Sequence, residues 1–231
     1  LRQVRNVRVA QASHNNEIGF PLTILGHWSE RELHLVSKQQ QPGAHVVAKA
    51  IFWSKVVAVS VARLLFGSAR TYPELLVLEY GADRPGDIRA LAEIARPQIG
   101  VVTAIGDVPV HVEFYAGPEA VVREKGRLVE SLPSTGFAIL NADDDLVASL
   151  EKRTRAHVLR FGFSQAAEVR VTSFETRLEQ GVPVGVSFKL EYGGSFVPVR
   201  IDGRLGRSVA YAAAAAAAVG TVFGMHLIRI A

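Results

Sequence analysis

The stretch LLVLEYGADRPGDI, Leu75 to Ile88, decides the fold. Leu75, Leu76, Val77 and Leu78 form an apolar run too short for a helix. A run apolar on both sides of the pleat is the pattern of a strand buried on both faces in a parallel sheet. Glu79 ends the run, a turn with Gly and Pro follows, and Asp87 opens a helical pattern. Open α/β sheets bind ligands at the carboxyl ends of their strands, where such a turn lies. Ile99 to Thr103 repeats the plan and leads into a loop carrying His111 and Glu113. Neighbouring strand ends would aim Glu79 and His111 into one crevice, and oxygen and imidazole donors there point to a metal–phosphate site.

The alternation continues downstream. A strand is predicted over 75–79, a helix over 86–95, a strand over 99–104, a helix from Pro118 to about Leu132, a strand over 137–141 and a helix over 144–153. Three strand–helix alternations define a parallel sheet. Upstream lie a short strand within 1–12, a polar turn over 13–19, partial helix over 20–36 and a loop over 39–43. After Ala156 the period changes to two. Segments 157–163, 168–176, 184–192 and 196–201, joined by Gly-rich turns such as Gly193-Gly194, read as an antiparallel meander. A helix of small residues is expected over 207–224, where seven consecutive alanines favour helix and permit close packing on a sheet. The fold class is α/β, a mainly parallel sheet flanked by helices with an antiparallel meander near the C-terminal part. One domain, 1–231, is expected, with parts 1–155, 156–203 and 204–231.

The chain has 231 residues, 48% of them hydrophobic, enough for a sizeable core. It has no cysteine, which excludes a disulfide framework and a thiolate zinc site and agrees with a reducing compartment. The net charge of +4 is spread without a basic run, and aromatics are not interleaved with cations, so a nucleic-acid partner is not expected. Val46 to Phe66, VVAKAIFWSKVVAVSVARLLF, is long enough to span a bilayer. Its Lys49, Lys55 and Arg63 would each cost roughly 2.5–3.5 kcal/mol at the bilayer centre. The segment therefore reads as a buried or surface-docked amphipathic helix, without membrane insertion. The chain begins at Leu1 and its only methionine is Met225, so a piece of a longer protein is expected.

LVLEYGADRPGDI, VVTAIGDVPVHVEF, EAVVREKGRLVE and AILNADDD, in this order and spacing, resemble the central ATP-binding domain of the Mur ligase family. Asn15 to Thr23, NNEIGFPLT, resembles the segment that follows the family's phosphate-binding helix. The resemblance covers most of 13–225, is strong over 74–145 and is weak over the meander. Within the family it points to the branch that adds D-alanyl-D-alanine to a UDP-N-acetylmuramoyl peptide. It implies a fold related to P-loop NTPases, ATP and Mg²⁺ as cofactors, and amide-bond formation through an acyl phosphate in peptidoglycan precursor synthesis. It also implies a cytoplasmic setting and further N- and C-terminal domains in the same protein.

By this resemblance Glu79 matches the family's Mg²⁺-ligating glutamate, and His111 the histidine that helps hold a second Mg²⁺. Lys125 matches the lysine that the family carbamylates into a metal-binding carboxylate. His111 and Lys125 thus stand as both catalytic and metal-binding candidates. Asn15 and Asn16 match polar residues near the phosphates, and Asn141 and Asp143 the nucleotide-side loop. Without that context Glu79 is a solvated strand-end carboxylate, His111 a structural histidine and Lys125 a solvated helix lysine. Glu113 suits an orienting role, Asp87 supports a helix N-terminus, and Arg84 is expected to pair with Asp87. Two departures stand out. The 231 residues hold no G-x-x-x-x-G-K-[ST] phosphate loop, so the isolated chain is expected to be inactive and to bind ATP weakly. Where the family carries His-Asn and another Asn before its alanine helix, this chain has Ser208, Val209 and Ala212. The alternatives are a related folylpolyglutamate or cyanophycin-type ligase, and a non-catalytic nucleotide-binding or scaffold domain.

Overall fold

The apolar and period-two segments from Ile99 onward form one six-stranded sheet. The computed structural model describes residues 1, 5–10, 15–36, 45–67, 72–105 and 114–230, in two compact units, Leu1–Gly81 and Ala82–Ala231. In the first, β1 (Val7–Val9) pairs in parallel with β2 (Leu75–Val77), Arg8 opposite Leu76. Helices α1 (Gly19–Leu25), α2 (Glu30–Leu35) and α3 (Val46–Phe66) complete this unit around Leu22, Trp28, Leu33, Phe52 and Val56. Ser29 and Glu32 start α2 as a reciprocal capping box. Carbonyls in the last turn of α1 accept side-chain donors, Leu22 O in addition to the backbone N–H of Gly26. Trp28 Nε1 bonds Leu22 O, and both Arg8 Nη1 and Tyr72 Oη bond Ile24 O. Strand β2 is shorter than predicted, so Glu79 stands two residues beyond it.

The second unit holds α4 (Asp87–Ile94), β3 (Ile99–Val102), α5 (Pro118–Glu130), β4 (Phe137–Asn141) and α6 (Asp145–Ser149), which runs into a 3-10 turn (Leu150–Arg153). Then come β5 (His157–Gly162), β6 (Val169–Glu179), β7 (Val182–Tyr192), β8 (Ser195–Asp202), α7 (Arg207–Val222) and α8 (Leu227–Ile230). The strands lie in the order β3-β4-β5-β6-β7-β8. Strands β3 to β6 are mutually parallel, whereas β6–β7 and β7–β8 are antiparallel. This is the expected mixed α/β architecture, with two corrections: β2 pairs with β1 in a sheet of its own and not with β3 and β4, and is only partly buried, with Val77 41% exposed, and the antiparallel part does not begin at 156. Strand β5 is parallel to both neighbours, and it meets β6 only at Phe161↔Val169 and Gly162↔Arg170. Because β6 starts where β5 ends, the chain steps sideways and continues in the same direction, and no crossover helix is needed.

Two-residue turns close both hairpins. Gly193 (φ 57) and Gly194 (φ 78) link β7 to β8, and Gln180 (φ 51) and Gly181 (φ 81) link β6 to β7. Positive φ at both central positions matches the twist of the flanking strands. The core is the face of β4–β8 covered by α7, where Ala210, Ala214, Ala217 and Ala218 are fully buried beside Ile139, Phe161, Val171 and Val186. Replacing Ala214 by Leu is expected to force helix and sheet apart and cost about 1–3 kcal/mol. The same change at exposed Ala216 is expected to be nearly neutral, and urea unfolding of the two variants measures the difference.

Candidate functional site

In the first unit the loop after β2 presents Glu79, exposed and held from one side. Asn15 Nδ2 donates to Glu79 Oε1 at 3.2 Å, and Gly81 N donates to Asn15 O at 2.9 Å. A side chain at Gly81 would meet Asn15 O at 2.6 Å, so the segment before α1 and the loop after β2 approach as only glycine allows. Asn16 is engaged otherwise. Its Oδ1 accepts from Ile18 N and Gly19 N at 3.1 and 2.9 Å, which satisfies donors at the start of α1. The Phe20 ring meets Tyr80 edge-on, centroids 4.9 Å apart, and burial pushes the Tyr80 hydroxyl up to about 12.

In the second unit the turn before α4 is fastened to α5. Asp87 accepts from Arg84 N at 2.7 Å, while the Arg84 guanidinium lies over the Phe114 ring. The expected Arg84–Asp87 pair is therefore a backbone bond. Tyr115 Oη donates to Ala82 O, and burial with the nearby charges of Glu124, Asp87 and Asp83 raises its pKa to about 12. Glu124, 2% exposed, accepts from Ile88 N at the start of α4 and pairs with Arg127. The next residue, Lys125, points to the end of β3, where its Nζ donates to Ala104 O at 3.2 Å. Burial lowers the Lys125 pKa, and the charge of Asp144 opposes that shift.

The end of β4 carries the remaining candidates. Asn141 is buried; its Nδ2 donates to Thr103 O and its Oδ1 accepts from Asp143 N. Asp144 caps α6 through Val147 N and accepts from Ile105 N at 2.7 Å, so it joins the ends of β3 and β4. Asp143 accepts from Phe163 N, Ser164 N and Tyr211 Oη at 2.6, 2.8 and 2.8 Å. Its partial burial raises its pKa, but these donors outweigh that and leave it below the ordinary value. The Phe163 ring stands between the Arg207 guanidinium, 3.9 Å from its centroid, and the Tyr211 ring at 5.0 Å.

Thus Asn15 meets Glu79 within one unit, and Lys125, Asn141 and Asp143 attach to the ends of β3 and β4 in the other. His111 and Glu113 lie outside the described residues. Glu124, Asp144 and Tyr211 were not singled out by the sequence. For Asp144 a signal existed, since an Asp run directly before a helix is an N-cap pattern. Among the described residues no three His, Cys, Asp or Glu side chains cluster as a metal site. Mg²⁺ bound to a nucleotide needs no such cluster: it takes one or two carboxylates, water and phosphate oxygens. The exposed carboxylate of Glu79 is a donor of that kind.

These features define an α/β protein with a mixed sheet, in each of whose two units the described candidate side chains lie at strand ends or helix starts. The chain belongs to the Mur ligase family: residues 54–220 match the Mur ligase middle domain. It is 38% identical over 96 residues to the UDP-N-acetylmuramoyl-tripeptide–D-alanyl-D-alanine ligase of Mycobacterium bovis, a stretch that is 42% of this chain and 18% of that protein. The fold is that of MurF from Acinetobacter baumannii, with a TM-score of 0.70 and 19% identity over 100% of this chain and 40% of that one. MurF from Thermotoga maritima, solved in complex with ADP, gives 0.68 and 21% identity over 98% and 41% of the two chains. The chain therefore spans about two-fifths of the length of these structures.

Asp143→Ala is expected to leave Phe163 N, Ser164 N and Tyr211 Oη without their acceptor. Since the carboxylate is open to solvent, the loss is about 1–2 kcal/mol. A depressed carboxylate pKa stabilises the fold above the unfolded value and ceases to do so as pH falls through the folded one. The stability gap between wild type and Asp143→Ala, measured by urea unfolding, is thus full near neutrality and closes below about pH 4.

Proposed function

We propose that this chain is the ATP-using part of a ligase that joins D-alanyl-D-alanine to a UDP-N-acetylmuramoyl peptide, with residues 1–231 forming most of one catalytic domain in a longer, cytoplasmic protein. Membership of the family supports the reaction class, and the stretch shared with the mycobacterial ligase supports the choice of substrates. The observation that carries the reading furthest is the half-buried Lys125 with a lowered pKa at a strand end.

In the proposed reaction the γ-phosphoryl group of ATP passes to the substrate carboxylate, ADP leaves, and the dipeptide amine attacks the acyl carbon. The amine's proton is lost and phosphate departs as the amide forms. Bound Mg²⁺ would neutralise charge on the transferring phosphoryl group. Glu79, held in place by Asn15, is the proposed carboxylate ligand, with His111 as a second ligand. Asn16 orders the start of α1 beside Asn15. Asn141 and Asp143 order the loop after β4 on the nucleotide side.

Lys125 has a distinct part. Only a neutral amine adds CO₂: its nitrogen forms a bond to the carbon, and the lost proton goes to solvent. Burial lowers the pKa of Lys125 and so enlarges its neutral fraction at any given pH. The carbamate is an anion and a ligand where the ammonium would repel Mg²⁺.

In the full-length protein, Glu79→Ala and His111→Ala are expected to abolish ATP-dependent ligation while circular dichroism and melting stay unchanged. Lys125→Ala should lose activity and regain part of it with added formate or acetate. Full activity in Lys125→Ala would contradict its proposed role.

A further inference from the structure

Helix α3 is apolar around most of its circumference. Its inner face, through Phe52 and Val56, packs on Leu22, Trp28 and Leu33. The opposite arc presents Val47, Ile51, Val57, Val61, Leu64 and Leu65, which are 73, 65, 60, 46, 85 and 69% exposed. Ala50, Ser54, Ala58 and Ala62 fill the space between them at helical spacing, so this arc holds no charged residue. Single exposed apolar side chains are ordinary on a protein surface. A continuous strip along a helix of 21 residues is not, and it marks a surface that meets something apolar.

Charge identifies what it meets. Every ionisable side chain of the helix is a cation: Lys49, Lys55 and Arg63, with no carboxylate from Val46 to Phe66. Lys55 borders the apolar arc on one side and pairs with Glu32; Lys49 and the 41%-exposed Trp53 border it on the other. The bias extends to the whole unit. Residues 1–81 hold nine Lys and Arg against five Asp and Glu, and residues 82–231 hold seventeen of each. The full excess of +4 thus belongs to the unit that carries α3.

We propose that the outer face of α3 docks on the surface of an anionic lipid bilayer, with the helix lying in the interface. The apolar arc would enter the boundary of the acyl chains while flanking cations and Trp53 stay at headgroup level. A span is excluded for the described residues: no helix is long and apolar enough to cross a membrane, and the inner face of α3 is committed to its own core. Association with a second copy would bring two units of like net charge together. This inference is independent of the ligase reading.

Co-sedimentation of the full chain with sucrose-loaded vesicles tests it. Vesicles of phosphatidylcholine with about a third phosphatidylglycerol are expected to bind about tenfold more protein than phosphatidylcholine alone, and added salt should weaken the binding. Ile51→Glu/Leu65→Glu should lower binding about tenfold, whereas Leu178→Glu, at an exposed position in the other unit, should not. In case the double variant misfolds, wild-type tryptophan emission gives a second measure. Trp28 is buried at 5% exposure, so a blue shift on anionic vesicles, with quenching by brominated lipid, reports Trp53. Absence of binding to anionic vesicles, equal binding to neutral ones, or undiminished binding by a folded double variant overturns the proposal. So does a concentration-dependent dimer, lost in that variant, in a protein that ignores vesicles.

Discussion

A helix can approach a sheet only as closely as its side chains allow, and in the second unit this distance is set by alanine. Ala210, Ala214, Ala217 and Ala218 of α7 are fully buried against the sheet, with large apolar residues supplied from the strands. The close approach brings Tyr211, on the same helix, within reach of Asp143 at the end of β4. Asp143 in turn gathers the N–H groups of Phe163 and Ser164, and so fixes the bend between β5 and β6. Gly162 stands at that bend with φ 152, and a Cβ there would lie 2.8 Å from the Asp143 carboxyl atoms. Small residues on α7, a glycine in the turn and one carboxylate thus form a single arrangement. A larger side chain on the helix would disturb the loop after β4 without touching it.

The other end of the site depends on carboxylates used as structural acceptors. Glu124 is nearly inaccessible, yet it bonds the first turn of α4 and pairs with Arg127, so neither its charge nor its lone pairs are left uncompensated. Tyr115 adds a second tie to the same turn. These bonds lock α5 onto α4, and the position of Lys125 follows from that lock. Burial of the Lys125 stem and the opposing charge of Asp144 then set how readily the amine gives up its proton.

Much of this was legible in the sequence because local chemistry decided it. Phe137 to Leu140 is an apolar run that Asn141 ends, and the strand covers those five residues. Pro118 opens α5, Gly193-Gly194 closes a hairpin, and the alanine run is a buried helix. The direction of β5 was not legible, since only two residue pairs join it to β6 and nothing in its own pattern encodes them. Nor did Glu124, between Arg123 and Lys125 on a helix, differ locally from a solvated residue; its burial comes from α4. Asn16 illustrates a third case. Its spacing before Gly19 suits a helix start as well as a phosphate contact, and the fold gives it the N–H groups of Ile18 and Gly19.

The paired two-residue turns also bear on how the chain reaches this fold. Strands β6, β7 and β8 follow one another with almost no intervening chain. Their ends need little loop closure, and hairpins of that kind form in microseconds. Strands β3 and β4 are separated by 34 residues that include α5, so their pairing must wait for a long segment to be ordered. The meander is therefore the part of the sheet able to form first. It offers its β6 edge as a template on which β5, then β4 and β3, can add in sequence from the C-terminal side.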